Sequence, residues 1–274
     1  MLQICRMKRL LLGVLLLTIY VIPAARAQTK RTVYGWQLWP EVQAELALPG
    51  SDYLLLTVRG QNETDNNGFG DRSRVLGFDE RRVTVGYEHF WNERWSVGGT
   101  LGYISLDEHY VLVPEVLLRH RSPVGPLTLG QRLSLERTFS SQSGAINQTN
   151  ARLRVDLEKI LALGQLALRP RLSYEAVTHV RLLRSDTDPD ERTIQFTSLR
   201  GELGVRVREW FDCTPWVAYQ TNYSFGLAQT DASGNVIIPA GRVNSVAPVL
   251  GLEVRFTWLQ GSDAAARQQL PTQH

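Results

Sequence analysis

Apolar and polar side chains alternate along most of this chain, and the longest such run, residues 243–258, reads VNSVAPVLGLEVRFTW. One set of alternate positions holds Asn244, Val246, Pro248, Leu250, Leu252, Val254, Phe256 and Trp258, almost wholly apolar; the other holds Val243, Ser245, Ala247, Val249, Gly251, Glu253, Arg255 and Thr257, mixed, small and charged. Successive side chains of a strand point to opposite faces, so the spacing predicts a strand with one greasy face and one wet one. Sixteen residues exceed an ordinary globular strand. They suit a tilted membrane-spanning strand with an overhang, of which about 9–11 residues cross the hydrocarbon.

Ten further runs have the same period: 33–48, 53–63, 81–90, 95–106, 110–121, 127–139, 150–159, 165–178, 193–208 and 213–226. In 150–159, Leu153, Val155 and Leu157 alternate with Arg152, Arg154, Asp156 and Glu158. Short turns such as Pro49-Gly50-Ser51 and Trp91-Asn92-Glu93-Arg94 alternate with long polar stretches at 62–79, 140–147, 185–191 and 228–242. That is the pattern of a barrel with periplasmic turns and external loops. Single-chain bacterial barrels ordinarily have an even number of strands, so these runs predict about 10–12. Trp36, Trp39, Trp91, Trp95, Trp210, Trp216 and Trp258 fall near run ends, where aromatic girdles meet a membrane's interfaces. A soluble sandwich or lipocalin-like barrel would also alternate, but with turns about every 8–12 residues and its charged face in bulk water. Longer runs and the aromatic placement favour an all-β fold: a transmembrane antiparallel up-and-down β-barrel over 28–258.

The N-terminus changes the charge balance. Arg6, Lys8 and Arg9 precede an apolar stretch at 10–22, and Ala25-Arg26-Ala27 fits a small-x-small cleavage site; residues 1–27 are therefore expected to be a cleaved secretory signal peptide. The whole chain is +3 with a pI near 9.0, but residues 1–27 contain four basic and no acidic side chains. The remainder, with 26 basic and 27 acidic residues, is nearly neutral. Nucleic-acid binding, which needs a basic patch, loses its support. Cys5 leaves with the signal and Cys213 stays alone, so no intrachain disulfide is expected. Export without a helical span points to the outer membrane of a bacterium with a double envelope, with the barrel-assembly machinery and outer-membrane lipid as partners.

The opening Gly35-Trp36 followed by a glutamate-bearing strand, a second strand ending Arg59-Gly60-Gln61-Asn62-Glu63, and repeated Arg/Glu-rich strands resemble an uncharacterised bacterial outer-membrane β-barrel family, domain of unknown function 2490. The resemblance covers most of the chain and implies a fold and a location, but no activity. One departure is the C-terminus. Barrel assembly favours a terminal aromatic, yet Trp258 is followed by a polar tail at 259–274.

Candidate chemistry concentrates on the wet faces. Glu41, Glu45, Arg59, Arg152, Arg154, Asp156, Arg169, Arg171, Glu175, Arg200, Glu202, Arg206, Glu253 and Arg255 all fall on predicted inner positions, as do Glu63, Glu158 and Arg208. Charges confined in a narrow lumen must pair, because an isolated buried charge is costly. Two outcomes follow: an interlocked plug, or a water-filled pore with charged rings. About ten to twelve strands leave a lumen that side chains can largely fill, so the plug is favoured over a channel for a small solute or ion.

An alternative is a barrel-embedded lipid-modifying enzyme using His89 or His109 near a rim, with Ser105, Ser173 or Ser185 as nucleophile. No Gly-x-Ser-x-Gly elbow supports it. His120 and His179 have no evident partner in the sequence. Another alternative is a soluble exported β-barrel binding an apolar ligand. Asp186, Asp188, Asp190 and Glu191 lack the spacing and central glycine of a helix-loop-helix calcium site. A lone Cys213 is expected to serve packing. No cofactor, metal or catalytic residue is assigned.

Overall fold

A computed structural model describes residues 30–48, 51–63, 78–106, 108–145, 147–164, 166–180, 193–226, 229–230, 236–238 and 241–259. The expected signal segment 1–27, the acidic loop with Asp186 to Glu191, Ser185 and the tail beyond 259 lie outside the described residues, as do most of the long loops 62–79 and 228–242.

Eleven long strands follow in chain order: β1 (Gln37–Ala47), β2 (Asp52–Glu63), β3 (Glu80–Phe90), β4 (Trp95–Ser105), β5 (Tyr110–Val124) and β6 (Leu127–Arg137). They continue with β7 (Thr149–Glu158), β8 (Leu166–His179), β9 (Phe196–Arg208), β10 (Phe211–Gly226) and β11 (Gly241–Leu259). Each pairs with the next, and β11 pairs with β1, so the sheet closes into a barrel without a free edge.

The successive pairs are antiparallel, while the closing pair β11–β1 is parallel. The eleven strands fall within the expected ten to twelve; the expected antiparallel order holds for every successive pair, and the closing pair alone departs from it. In a meander every strand reverses direction, so an odd-numbered last strand runs the same way as the first. Eleven strands and a parallel seam are one fact.

The seam carries one irregularity. A short strand, Lys30–Val33, pairs parallel with 243–246 of β11, and β1 then pairs with 249–259. Three residues, Tyr34 to Trp36, thus face two, Ala247 and Pro248. The extra residue forms a bulge, and Pro248, which has no N–H to donate, lies opposite it. The Tyr34 N–H instead donates to the Val246 carbonyl at 2.8 Å.

The alternation resolves into an inner and an outer face, and the two are inverted relative to a soluble domain. Among the described residues, 27 polar or charged side chains are buried against 11 apolar ones. Leu54, Leu56, Val85, Leu101, Leu153 and Leu172 instead lie exposed on the outside. Two tryptophans expected at the girdles turn inward: Trp216 is buried and Trp39 packs edge-on against it, with ring centres 5.9 Å apart. Their neighbours in the alternation, Glu41 and Thr214, face the same way. Val246, expected on the exposed face, is buried beside the leading strand.

Outside, Trp210, Phe256 and Trp258 cluster at the end of the barrel with short turns, where Trp91 and Trp95 are also exposed. Tyr103 stacks on Tyr110 at the end with long loops. In β4, Gly98 is where a close approach requires glycine: a Cβ there would come within 2.5 Å of the Tyr87 carbonyl oxygen.

Candidate functional site

The inner wall differs between the two ends. In the turn-side half, side chains fill the lumen. Arg255 is fully buried and reaches Glu253 at 2.9 Å and Glu45 at 3.3 Å. Glu45 also accepts from Gln43 at 2.6 Å and from the Thr257 hydroxyl at 3.3 Å. Arg200 lies 2.9 Å from Glu202 and 3.9 Å from Glu253, and Glu202 pairs again with Arg171. One chain of alternating charge therefore crosses β1, β11, β9 and β8. On the opposite wall, Arg119 donates to both oxygens of Glu88 at 2.8 and 2.9 Å, with the Ser96 hydroxyl at 2.5 Å. Arg121 meets Glu158, and Arg206 meets Asp212 at 3.2 Å.

In the loop-side half the lumen opens into a vestibule of about 670 Å³. Its wall carries Arg132 on Glu115, with two contacts of 2.7 Å, and Arg152 between Glu136 (2.9 Å) and Glu175. Higher up, Gln37, Gln61, Asn150, Gln195, Gln220 and Asn222 line it with neutral amides. Towards the turns the lining includes Glu41, Arg59, Arg154, Arg200 and Trp216. Beneath them, between Arg119, Arg121, Arg154 and Asp156, lies a void of about 10 Å³, room for roughly one water.

The basic side chains of this wall are arginines, and the whole chain has 27 arginines to 3 lysines. A planar guanidinium donates in a fork that matches a carboxylate and is more weakly hydrated than an ammonium, so it suits buried pairing. Two arginines also lie on aromatic rings: Arg200 is 3.9 Å from the Trp216 ring centre, and Arg59 is 4.6 Å from that of Trp39. Cation–π contact holds both guanidinium groups over the floor.

The fourteen charges singled out from the sequence all lie on this inner wall, but not in one cluster. Glu45, Glu253 and Arg255 meet, as do Arg171, Arg200 and Glu202, and separately Arg152 and Glu175. Glu41 sits opposite Arg59 across β1 and β2. Arg169 lies against Gly204, Arg206 is half-open at the turn-side mouth, and Asp156 and Arg154 lie between the two halves.

The sequence reading missed Glu80, Glu88, Glu115, Arg119, Arg132 and Asp212 as partners. Their signal was present. Glu88 shares its parity with Thr84 opposite Val83, Val85 and Tyr87, and Arg132 with Ser134 opposite Leu133 and Leu135.

Of the histidines, His89 lies 2.6 Å from Asp52, which also accepts from the Tyr87 hydroxyl at 2.8 Å. His120 packs on Trp95, His179 lines the vestibule, and His109 lies at the loop end. The geometry supplies His89 with a carboxylate but brings neither described candidate serine to it. Ser173 is buried in the lumen, and Ser105 pairs with Tyr110 at the far rim. Cys213 is a half-buried free thiol. No protein-family model matches the sequence, and no curated protein matches it.

Proposed function

We propose that the chain is an outer-membrane β-barrel whose turn-side half is sealed by an arginine–carboxylate plug and whose loop-side half is a water-filled vestibule open to the exterior. The observation that carries this reading is the inverted burial: charges inside, exposed leucine, valine and tyrosine outside, with aromatic clusters at both ends. Such a surface is far more apolar than a soluble monomer tolerates, and it has the banded form of lipid-facing barrels. Trp95 and Tyr103 stand eight residues apart on β4; at about 3.3 Å per residue and a tilt of about 40°, they bracket roughly 20 Å of height. That is close to the apolar band of about 25 Å found in outer-membrane barrels.

Within this proposal residues 1–27 act as the export signal, the assembly machinery inserts the barrel, and the turns lie in the periplasm. The likeness to the uncharacterised outer-membrane family belongs here too, on Gly35-Trp36 and the Arg59 to Glu63 strand end. The role is that of a structural barrel with a solute-accessible outer cup rather than an open channel. The ion-paired side chains that cross the turn-side half favour closure.

The test has two steps. Membrane fractionation followed by unheated and heated electrophoresis should give a heat-modifiable band in the outer-membrane fraction. The folded protein in planar bilayers should then be electrically silent. Steady ion-selective openings would replace the plug with a conduit, and a soluble, unshifted band would remove the membrane reading altogether.

A further inference from the structure

Three arginines stand directly opposite one another on adjacent strands: Arg119 on β5 faces Arg132 on β6, and Arg132 faces Arg154 on β7. Like charges in such cross-strand positions repel. The first two are answered, Arg119 by both oxygens of Glu88 and Arg132 by both oxygens of Glu115. Arg154 is not. Its side chain is 97% withdrawn from solvent by residue exposure of 3%, yet neither terminal nitrogen has a hydrogen-bond partner. It lines the floor of the vestibule, together with Arg59 and Arg200. A buried guanidinium without a partner is strongly destabilising, and an anion that bonds to it removes the penalty.

We infer that the vestibule floor is a binding site for a small oxyanion, a carboxylate or phosphate group, with Arg154 as its forked donor. The site is built rather than accidental. Cation–π contacts with Trp39 and Trp216 hold Arg59 and Arg200 beside it, at 4.6 and 3.9 Å from the ring centres. Arg59 also keeps its Nε without a hydrogen-bond partner. The nearby carboxylates do not occupy Arg154. Glu175, directly opposite Arg154 across β7 and β8, is taken by Arg152, Glu202 is shared by Arg171 and Arg200, and Asp156 lies below the floor, against Gly130. A cup of about 670 Å³ admits a solute of metabolite size, which its anionic group would anchor at the bottom and the amides above would contact. The inference rests on the reading of the lumen as a cup with a closed floor.

The experiment titrates the refolded full-length protein in detergent with sodium phosphate and, separately, sodium acetate, at ionic strength fixed with sodium chloride, following heat release and thermal midpoint. Saturable binding of either anion supports the site, and the tighter of the two identifies the headgroup. Arg154→Gln should weaken that binding about tenfold or more, the weight of one charge-assisted hydrogen bond. Arg154→Lys should fall between. Without added oxyanion, Arg154→Gln should melt close to the parent, because no hydrogen bond to either terminal nitrogen is lost; this guards against a trivial folding defect. Absence of saturable binding by a heat-modifiable parent would overturn the site, as would equal binding by Arg154→Gln. Bilayer conductance by the same preparation would instead break the closed-floor reading.

Discussion

The guanidinium of Arg200 lies 3.9 Å from the centre of the Trp216 ring, and that ring in turn lies over Gly251 on the neighbouring strand. Trp216 and Gly251 are direct partners across β10 and β11, and Glu202 is the partner of Trp216 across β9 and β10. The missing side chain at Gly251 thus makes room for the indole, and the indole carries the arginine that links Glu202 to Glu253. A glycine in the middle of a long strand is here a packing requirement.

Gly251→Ala tests this relation. A Cβ at that position would overlap the Trp216 ring, and overpacking of this kind costs about 1–3 kcal/mol. Urea unfolding in detergent, followed by tryptophan emission, should give a lower midpoint for Gly251→Ala. Adding Trp216→Ala should cause less further loss than in the parent, since residues in contact are coupled. Strictly additive losses would mean that the ring does not depend on the gap.

Arg255 should be the most sensitive charge. It is fully buried between Glu45 and Glu253, so Arg255→Met would strand two carboxylates at once. Breaking a buried pair from one side costs about 3–5 kcal/mol. The triple change Arg255→Met with Glu45→Gln and Glu253→Gln should recover much of that loss, because the stranded charges go with their partner. Unfolding midpoints of the single and triple variants decide the matter; a triple variant as weak as the single would assign the loss to packing.

The His89–Asp52 pair should be dispensable. Both side chains are partly exposed at the turn end, where ion pairs contribute about 0–1 kcal/mol. His89→Ala should shift the unfolding midpoint little and leave heat-modifiable mobility intact. A lipid-hydrolysing activity present in the parent and lost in this variant would revive the enzymatic alternative.

Strand positions and inner faces were legible because one periodicity, two residues, governs the whole barrel. The parity that put Leu153, Val155 and Leu157 on one face and Arg154, Asp156 and Glu158 on the other survives folding intact. Closure was not legible. Nothing in β1 or β11 alone states that the two pair in parallel; that follows from the strand count, and a one-residue bulge at Tyr34 to Trp36 hides the register. Pairing inside the lumen was legible only in part. Arg119 and Glu88 are 31 residues apart in sequence, and only the register of the strands on either side of β4, across Ser96 and Gly98, brings them together. Trp39 and Trp216 looked like girdle residues because indole suits an interface, but their parity with Glu41 and Thr214 put them inside.

The lipid-facing reading makes its own prediction about depth. Leu153 is exposed midway along β7, whereas Val124 is exposed at the turn between β5 and β6. An arginine on the outer face of a barrel costs about 2–4 kcal/mol at the bilayer midplane and about 0–1 near an interface. Leu153→Arg should therefore unfold in lipid vesicles well before the parent, while Val124→Arg should nearly match it. In a soluble barrel the ordering would vanish, because both side chains would point into water and surface changes there shift stability within about 0.5 kcal/mol. Equal midpoints for the two variants in vesicles would thus remove the bilayer from around β7. A graded loss would place Leu153 in the hydrocarbon and Arg154, its neighbour in the alternation, in the wall behind it.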